Sequence, residues 1–127
     1  MRPLRALFLA DNLKLGHFKR TEYLLDRLLD VSRDRGDLLF YQGELFRLRN
    51  GPDDMPRAMR SLLDASLERD APPEVFCSLG FLHGRMGDTD KAKKCYARYL
   101  SLRPDAPDRA VLEQKIHRNE TPEDAEE

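Results

Sequence analysis

The chain has no tryptophan, only two cysteines, and few valines or isoleucines (Val31, Val75, Val111 and Ile116). The shortage of β-branched aliphatics argues against strands, while abundant Leu, Arg, Glu, Lys and Ala favour helix. Cys77 and Cys95 form neither a CxxC ligand pair nor a secreted disulfide framework, so they read as buried or half-buried free thiols. Neither sign of charge dominates. Lys plus Arg number 22 against 23 Asp plus Glu, which leaves no whole-molecule field to draw in nucleic acid or an anionic membrane. Long apolar runs are missing too. The opening stretch MRPLRALFLAD is cut at Asp11 after about six apolar residues, short of a signal-peptide core. No stretch approaches the roughly 20 residues of a membrane helix. The opening therefore reads as a first helix, and membrane insertion is not expected.

Catalytic signatures are also missing. The sequence contains no HExxH, phosphate-binding loop, GxSxG or dinucleotide glycine pattern. His17, His83 and His117 fall in separate segments without carboxylate or cysteine partners at ligand spacing. His83 is expected at a core-facing position, and His17 and His117 at the surface. Glu22, Asp26 and Asp30 recur every four residues, but Arg20, Arg27 and Arg33 beside them make a solvated face the simpler reading. Asn119, Glu120 and Thr121 match a glycosylation acceptor, which Pro122 makes a chance hit. No cofactor and no metal are expected, and the chain does not read as an enzyme.

What is present is punctuation. Gly16, RDRGD at 33–37, NGPDDMP at 50–56, RDAPPE at 69–74, MGDTD at 86–90 and RPDAPD at 103–108 divide the chain into seven segments. Each segment carries apolar residues at helical spacing, such as Leu24, Leu25, Leu28 and Leu29, or Ala92, Tyr96, Tyr99 and Leu100. The pattern predicts about seven short helices joined by tight turns. Asp88 or Thr89 is placed to cap the helix that follows, and Pro73 and Pro107 suit a first helical turn.

The segments repeat. An offset of 34 brings Ala58 onto Ala92, Leu62 onto Tyr96 and Ala65 onto Tyr99; an offset of 37 brings Leu39 onto Phe76, Gly43 onto Gly80 and Phe46 onto His83. The three extra residues belong to the GPD insertion at 51–53, in an inner turn that tolerates length changes. Gly80 and Ala92 are small residues in otherwise large-residue helical patterns, as two antiparallel helices need at a close crossing.

These residues resemble the tetratricopeptide repeat signature. The third unit reads Phe76, Leu79, Gly80, His83, Ala92, Tyr96 and Pro104; the second reads Leu39, Gln42, Gly43, Phe46, Ala58, Leu62 and Ala65. In the first unit only Gly16, Leu25 and Leu28 keep their places. The resemblance implies an all-α fold, a right-handed α-solenoid of antiparallel helix pairs. Its repeats lie at about 2–35, 36–72 and 73–106, a capping helix at 107–118 turns Val111, Leu112 and Ile116 inward, and the domain spans 1–118.

It also implies a function. In this family the first helix of each pair lines a concave surface, and the residues one and five places after the signature's large position point into it. The transfer names Phe40, Glu44 and Arg47, then Cys77, Phe81 and Arg85, with Ala6 and Ala10 as weaker equivalents. Aromatic anchors flanked by charges suit a peptide or helix of a partner protein, so a scaffold or adaptor module is the expected role. The lysine and asparagine pattern with which family members grip acidic chaperone tails is absent from these positions. A second expectation is a non-catalytic region working with a bacterial envelope metallopeptidase or assembly factor, whose closing segments LRPDAPDRAVLEQ resembles. A third is self-association through exposed Leu4, Leu7 and Phe8 of the first helix. The compartment stays open between the cytoplasm, for the sequence as it stands, and a bacterial periplasm reached from a longer precursor. Residues 119–127, NETPEDAEE, read as an acidic, disordered tail that solubilises the end or lies over Lys91, Lys93 and Lys94.

Overall fold

A computed structural model describes residues 4–117. The acidic tail, the Asn119 acceptor and the last position of the expected capping helix lie outside the described residues. The described chain is all-α, with seven helices: α1 (Leu4–Lys14), α2 (Phe18–Val31), α3 (Gly36–Arg49), α4 (Asp54–Ser66), α5 (Glu74–Arg85), α6 (Thr89–Leu102) and α7 (Arg109–His117). It divides into two compact units, Met1–Val75 and Phe76–Glu127.

In the first unit α3 and α4 form the most extensive pair, α2 packs on α3, and α1 packs on both α2 and α3. Contacts between consecutive helices are consistent with a helical repeat arrangement. The core is aliphatic: Leu9, Leu25, Leu38, Leu45 and Leu62 are essentially sealed from solvent. Gly43 makes the α3–α4 crossing possible, because a Cβ there would lie 2.5 Å from Cγ of Leu62 and 3.4 Å from the Ala58 carbonyl oxygen. Ser61 donates to Gln42 across the same pair at 3.0 Å. In the α1–α2 pair the position equivalent to Gly43, by an offset of 34, is Leu9, and by an offset of 37, which includes the inserted residues, Thr21 stands where α4 has Ala58. Both are buried. Thr21 satisfies its hydroxyl on the His17 carbonyl at 2.7 Å.

In the second unit α5 and α6 meet as α3 and α4 do. A Cβ on Gly80 would lie 2.6 Å from Cε1 of Tyr96, so the glycine makes room for a ring. The Ala92 methyl group lies against Gly84, 3.9 Å from where a Cβ would stand. Ala92, Tyr96, Tyr99, Leu100, Ala106 and Leu112 form one cluster, against which Phe76, Cys77 and Ile116 pack. Val111 points outward and is 55 % exposed. Leu112 and Ile116, four apart, share the buried face of α7, and Val111 falls about 100° away from Leu112 on the helix.

The turns explain where the helices stop. After α1, His17 donates its amide to the Asn12 carbonyl and Gly16 to that of Leu13; after α5, Asp88 donates to His83 and Gly87 to Gly84. These are the same crossed pair of bonds, and the glycine takes the left-handed conformation in each, φ 76° at Gly16 and 82° at Gly87. α3 instead ends on Asn50, at φ 52°, and the inserted residues carry the chain to Asp54. Asp88 caps α6 as expected, accepting from the Lys91 amide at 3.3 Å. Pro73 and Pro107 lie in the turns just before α5 and α7, not in their first helical turns.

Candidate functional site

The sequence-predicted contact residues fall on two helices, three in each unit. On α3, Tyr41 and Gly43 face inward with Leu45 and Phe46, leaving Phe40, Glu44 and Arg47 half-buried. The Phe40 ring meets Tyr41 edge-on, with centroids 5.1 Å apart. Arg47 grips Glu44 through two bonds, Nε to Oε2 at 3.0 Å and Nη2 to Oε1 at 2.7 Å. This i, i+3 pair presents a fixed dipole beside an aromatic ring, and not two independent charges.

On α5 the equivalent face is more open. Cys77 is half-buried and packs against the unit's core, while Phe81 is 41 % exposed. The Arg85 guanidinium lies over the Phe81 ring, 5.8 Å from its centroid, so the side chain is both ordered and accessible. Of the weaker candidates, Ala6 is buried in the core of the first unit and is not a surface contact; Ala10 is half-buried. His83 is half-buried, and Leu82 beside it is sealed from solvent, as is Val75 of the same helix.

Beneath Phe81 and Arg85 the structure shows something the sequence pattern does not. A cavity of about 300 Å³ opens between the end of α5, the start of α6 and α7, lined by Phe81, Gly84, Arg85, Thr89, Ala92, Lys93, Tyr96 and Lys115. Among the described residues three cations and two rings line it, and no carboxylate. Two of its lining residues, Gly84 and Ala92, are small and lie against each other. Burial pushes the Tyr96 phenol up, with smaller contributions from Cys77 and Cys95; burial likewise pushes the Cys95 thiol up. Both groups stay neutral near pH 7, and Cys95 has no activated-thiolate character. Lys93 belongs to a visible basic run. Lys115, 22 positions later in the sequence, joins it only through the packing of α7 on α6.

Two further clusters are structural in geometry. Arg49 binds Asp54 through two bonds of 2.8 and 3.0 Å and reaches Glu22 at 3.0 Å. Glu22 is thus tied into the first unit's packing, while Asp26 and Asp30 of the same acidic stripe remain exposed. Arg5 holds Asp37 through bonds of 3.2 and 2.9 Å and the Asp34 carbonyl at 2.7 Å, fastening α1 to the start of α3. The Asp37 bond is the main reason the Arg5 guanidinium holds its proton more tightly than usual.

Among the described residues, no three His, Cys, Asp or Glu side chains gather to hold a metal ion. No helix among them is long and apolar enough to cross a membrane. Compared with protein-family models, with curated proteins and with solved structures, the chain matches none.

Proposed function

We propose that the chain is a protein-interaction module of tetratricopeptide-like helix pairs. It holds a peptide or helix of a partner protein against the contact face of α3 in the first unit or of α5 in the second, each taken by itself, as a scaffold or adaptor, without chemistry of its own. The observation that carries this reading is Phe81, a phenylalanine left 41 % exposed one residue beyond the tightly packed Gly80, with Arg85 stacked over its ring. An accessible aromatic held in place by an arginine supplies an apolar anchor and an orienting charge together. On α3 the half-buried Phe40 precedes the Glu44–Arg47 pair by one helical turn, an aromatic and charged groups on one helix.

The test is capture of partners by the native chain and by the double variant Phe40→Ala with Arg85→Glu, read by mass spectrometry. The variant is expected to lose the proteins that the native chain retains while keeping its helical circular dichroism. Recovery of the same proteins by a folded variant would overturn the assignment.

A second reading has its own observation. Leu4, Leu7 and Phe8 on α1 are 82 %, 46 % and 49 % exposed, an apolar strip suited to a second copy of the chain. A sedimentation series over concentration separates the two: a chain that stays monomeric while retaining partners excludes self-association as the function.

A further inference from the structure

Among the described residues that line the cavity of the second unit, three are cations and none is a carboxylate. Arg85, Lys93 and Lys115 line it beside the rings of Phe81 and Tyr96. Of the acids nearest in sequence, Asp90 is exposed and does not line the cavity, and two others are engaged. Asp88 pairs with Lys91 at 3.6 Å, and Glu113 with Arg109 at 2.9 Å. Among the described residues none of the three lining cations forms an ion pair with a carboxylate. Like charges gathered around one opening repel one another, and this arrangement favours an anionic occupant.

The chain carries such an occupant a few residues away. Five of the nine residues after Arg118 are acidic: Glu120, Glu123, Asp124, Glu126 and Glu127. Lys115 lines the cavity, and Glu120 follows it by five residues, within about 17 Å even for a fully extended chain. A segment tethered so closely has an effective concentration on the order of millimolar, enough to fill a weak electrostatic site most of the time.

We propose that this cavity is a binding site for an acidic peptide segment, and that its resident ligand is the chain's own segment 119–127. Carboxylates of the segment pair with Lys93 and Lys115, and its remaining groups cover Phe81 and Arg85. A partner that uses the α5 face must then displace the segment, which makes it a built-in competitor. The inference reaches beyond the partner-binding reading, and its test requires no partner, so the two stand or fall separately.

The experiment compares amide ¹H–¹⁵N spectra of the full native chain with those of the full chain bearing Glu120→Gln, Glu123→Gln, Asp124→Asn, Glu126→Gln and Glu127→Gln, at low ionic strength. Signals around Arg85, Lys93 and Lys115 are expected to differ between the two, and the difference is expected to shrink severalfold at about 0.5 M salt, where the screening length falls to a few ångströms. In a Lys93→Glu, Lys115→Glu background the difference is expected to vanish. Identical spectra around the cavity would overturn the proposal. A difference that persists in the charge-reversed background would overturn it as well, since the segment would then lie elsewhere. The third arm adds the synthetic peptide NETPEDAEE: it is expected to bind the neutralised chain at least about tenfold more tightly than the native one. Equal binding to both would mean that the cavity is open to outside ligands, and would also overturn it.

Discussion

Gly43 and Gly84 are both helical glycines, and the structure assigns them opposite consequences. A Cβ on Gly43 would meet Leu62 at 2.5 Å, and Leu62 is fully buried. A Cβ on Gly84 meets nothing closer than the Ala92 methyl at 3.9 Å, an ordinary contact. Replacing a helical glycine by alanine gains up to about 1 kcal/mol of propensity, whereas overpacking a tight core costs about 1 to 3 kcal/mol. Gly43→Ala is therefore expected to lower stability by about 1 kcal/mol or more, and Gly84→Ala to leave it unchanged or raise it by up to about 1 kcal/mol. Urea unfolding of the two variants checks both signs. Gly80→Leu should exceed Gly43→Ala in cost, since the whole side chain would have to displace the Tyr96 ring, whose atoms lie 2.6 to 2.9 Å from the Cβ position. Equal midpoints for the Gly43 and Gly84 variants would remove the close-crossing explanation of the repeat.

The seven helices were legible in the sequence because their apolar spacing and their stops agree: left-handed Gly16 and Gly87 close α1 and α5, and Asp88 opens α6. The periodicity showed which positions of α3–α4 and α5–α6 are equivalent, and Ala58, Leu62 and Ala65 are buried as Ala92, Tyr96 and Tyr99 are. Which small residue meets which could not be read, since a pattern gives the face and not the axial offset; Ala92 turned out to sit on Gly84. Val111 was assigned to the wrong side of α7 because three apolar residues within six positions exceed the width of one stripe. That Lys115 joins Lys93 depends on the packing of α7 on α6, and the Arg49–Asp54 lock on the geometry of one turn, neither of which apolar spacing reports. The lock governs the α3–α4 turn, and its pH dependence follows. The two bonds from Arg49, first among the causes, hold the Asp54 carboxyl down from the ordinary 3.8 to about 2 against the opposing effect of burial; the Gly51 amide at 2.8 Å and the nearby Arg57 help. A lowered native pKa means that this contribution is complete above about pH 4 and is lost as pH falls through about 2. Linkage sets its ceiling at roughly 2.5 kcal/mol. The Asp54 carboxylate is itself covered, but the turn is thin and the Arg49 side chain is 27 % exposed, so solvent screening brings the expected effect to about 1 kcal/mol. Unfolding free energies of native and Asp54→Asn chains should accordingly differ at pH 6 and converge towards pH 2.

At the scale of the molecule, stability in an array of helix pairs is a sum of local terms, so damage should stay where it is made. The second unit offers the sharper test because its cluster is small. Leu112 is the one α7 side chain fully inside it, joined by half-buried Ile116, and it closes the face formed by Ala92, Tyr96, Tyr99, Leu100 and Ala106. Truncating a buried leucine to alanine costs about 2 to 5 kcal/mol. A globally cooperative chain would spread that loss over every protected amide, as a two-state domain does. Two compact units predict a different outcome. In Leu112→Ala, hydrogen exchange of α6 amides is expected to accelerate by a factor of ten or more, since each 1.4 kcal/mol is tenfold, while amides of α3 and α4 in the first unit keep most of their protection. Acceleration by the same factor throughout α3, α4 and α6 would show a single cooperative core instead. The result also bears on how a partner is held: with independent units, ligand contact at Phe81 and Arg85 can order the second unit without changing exchange in the first.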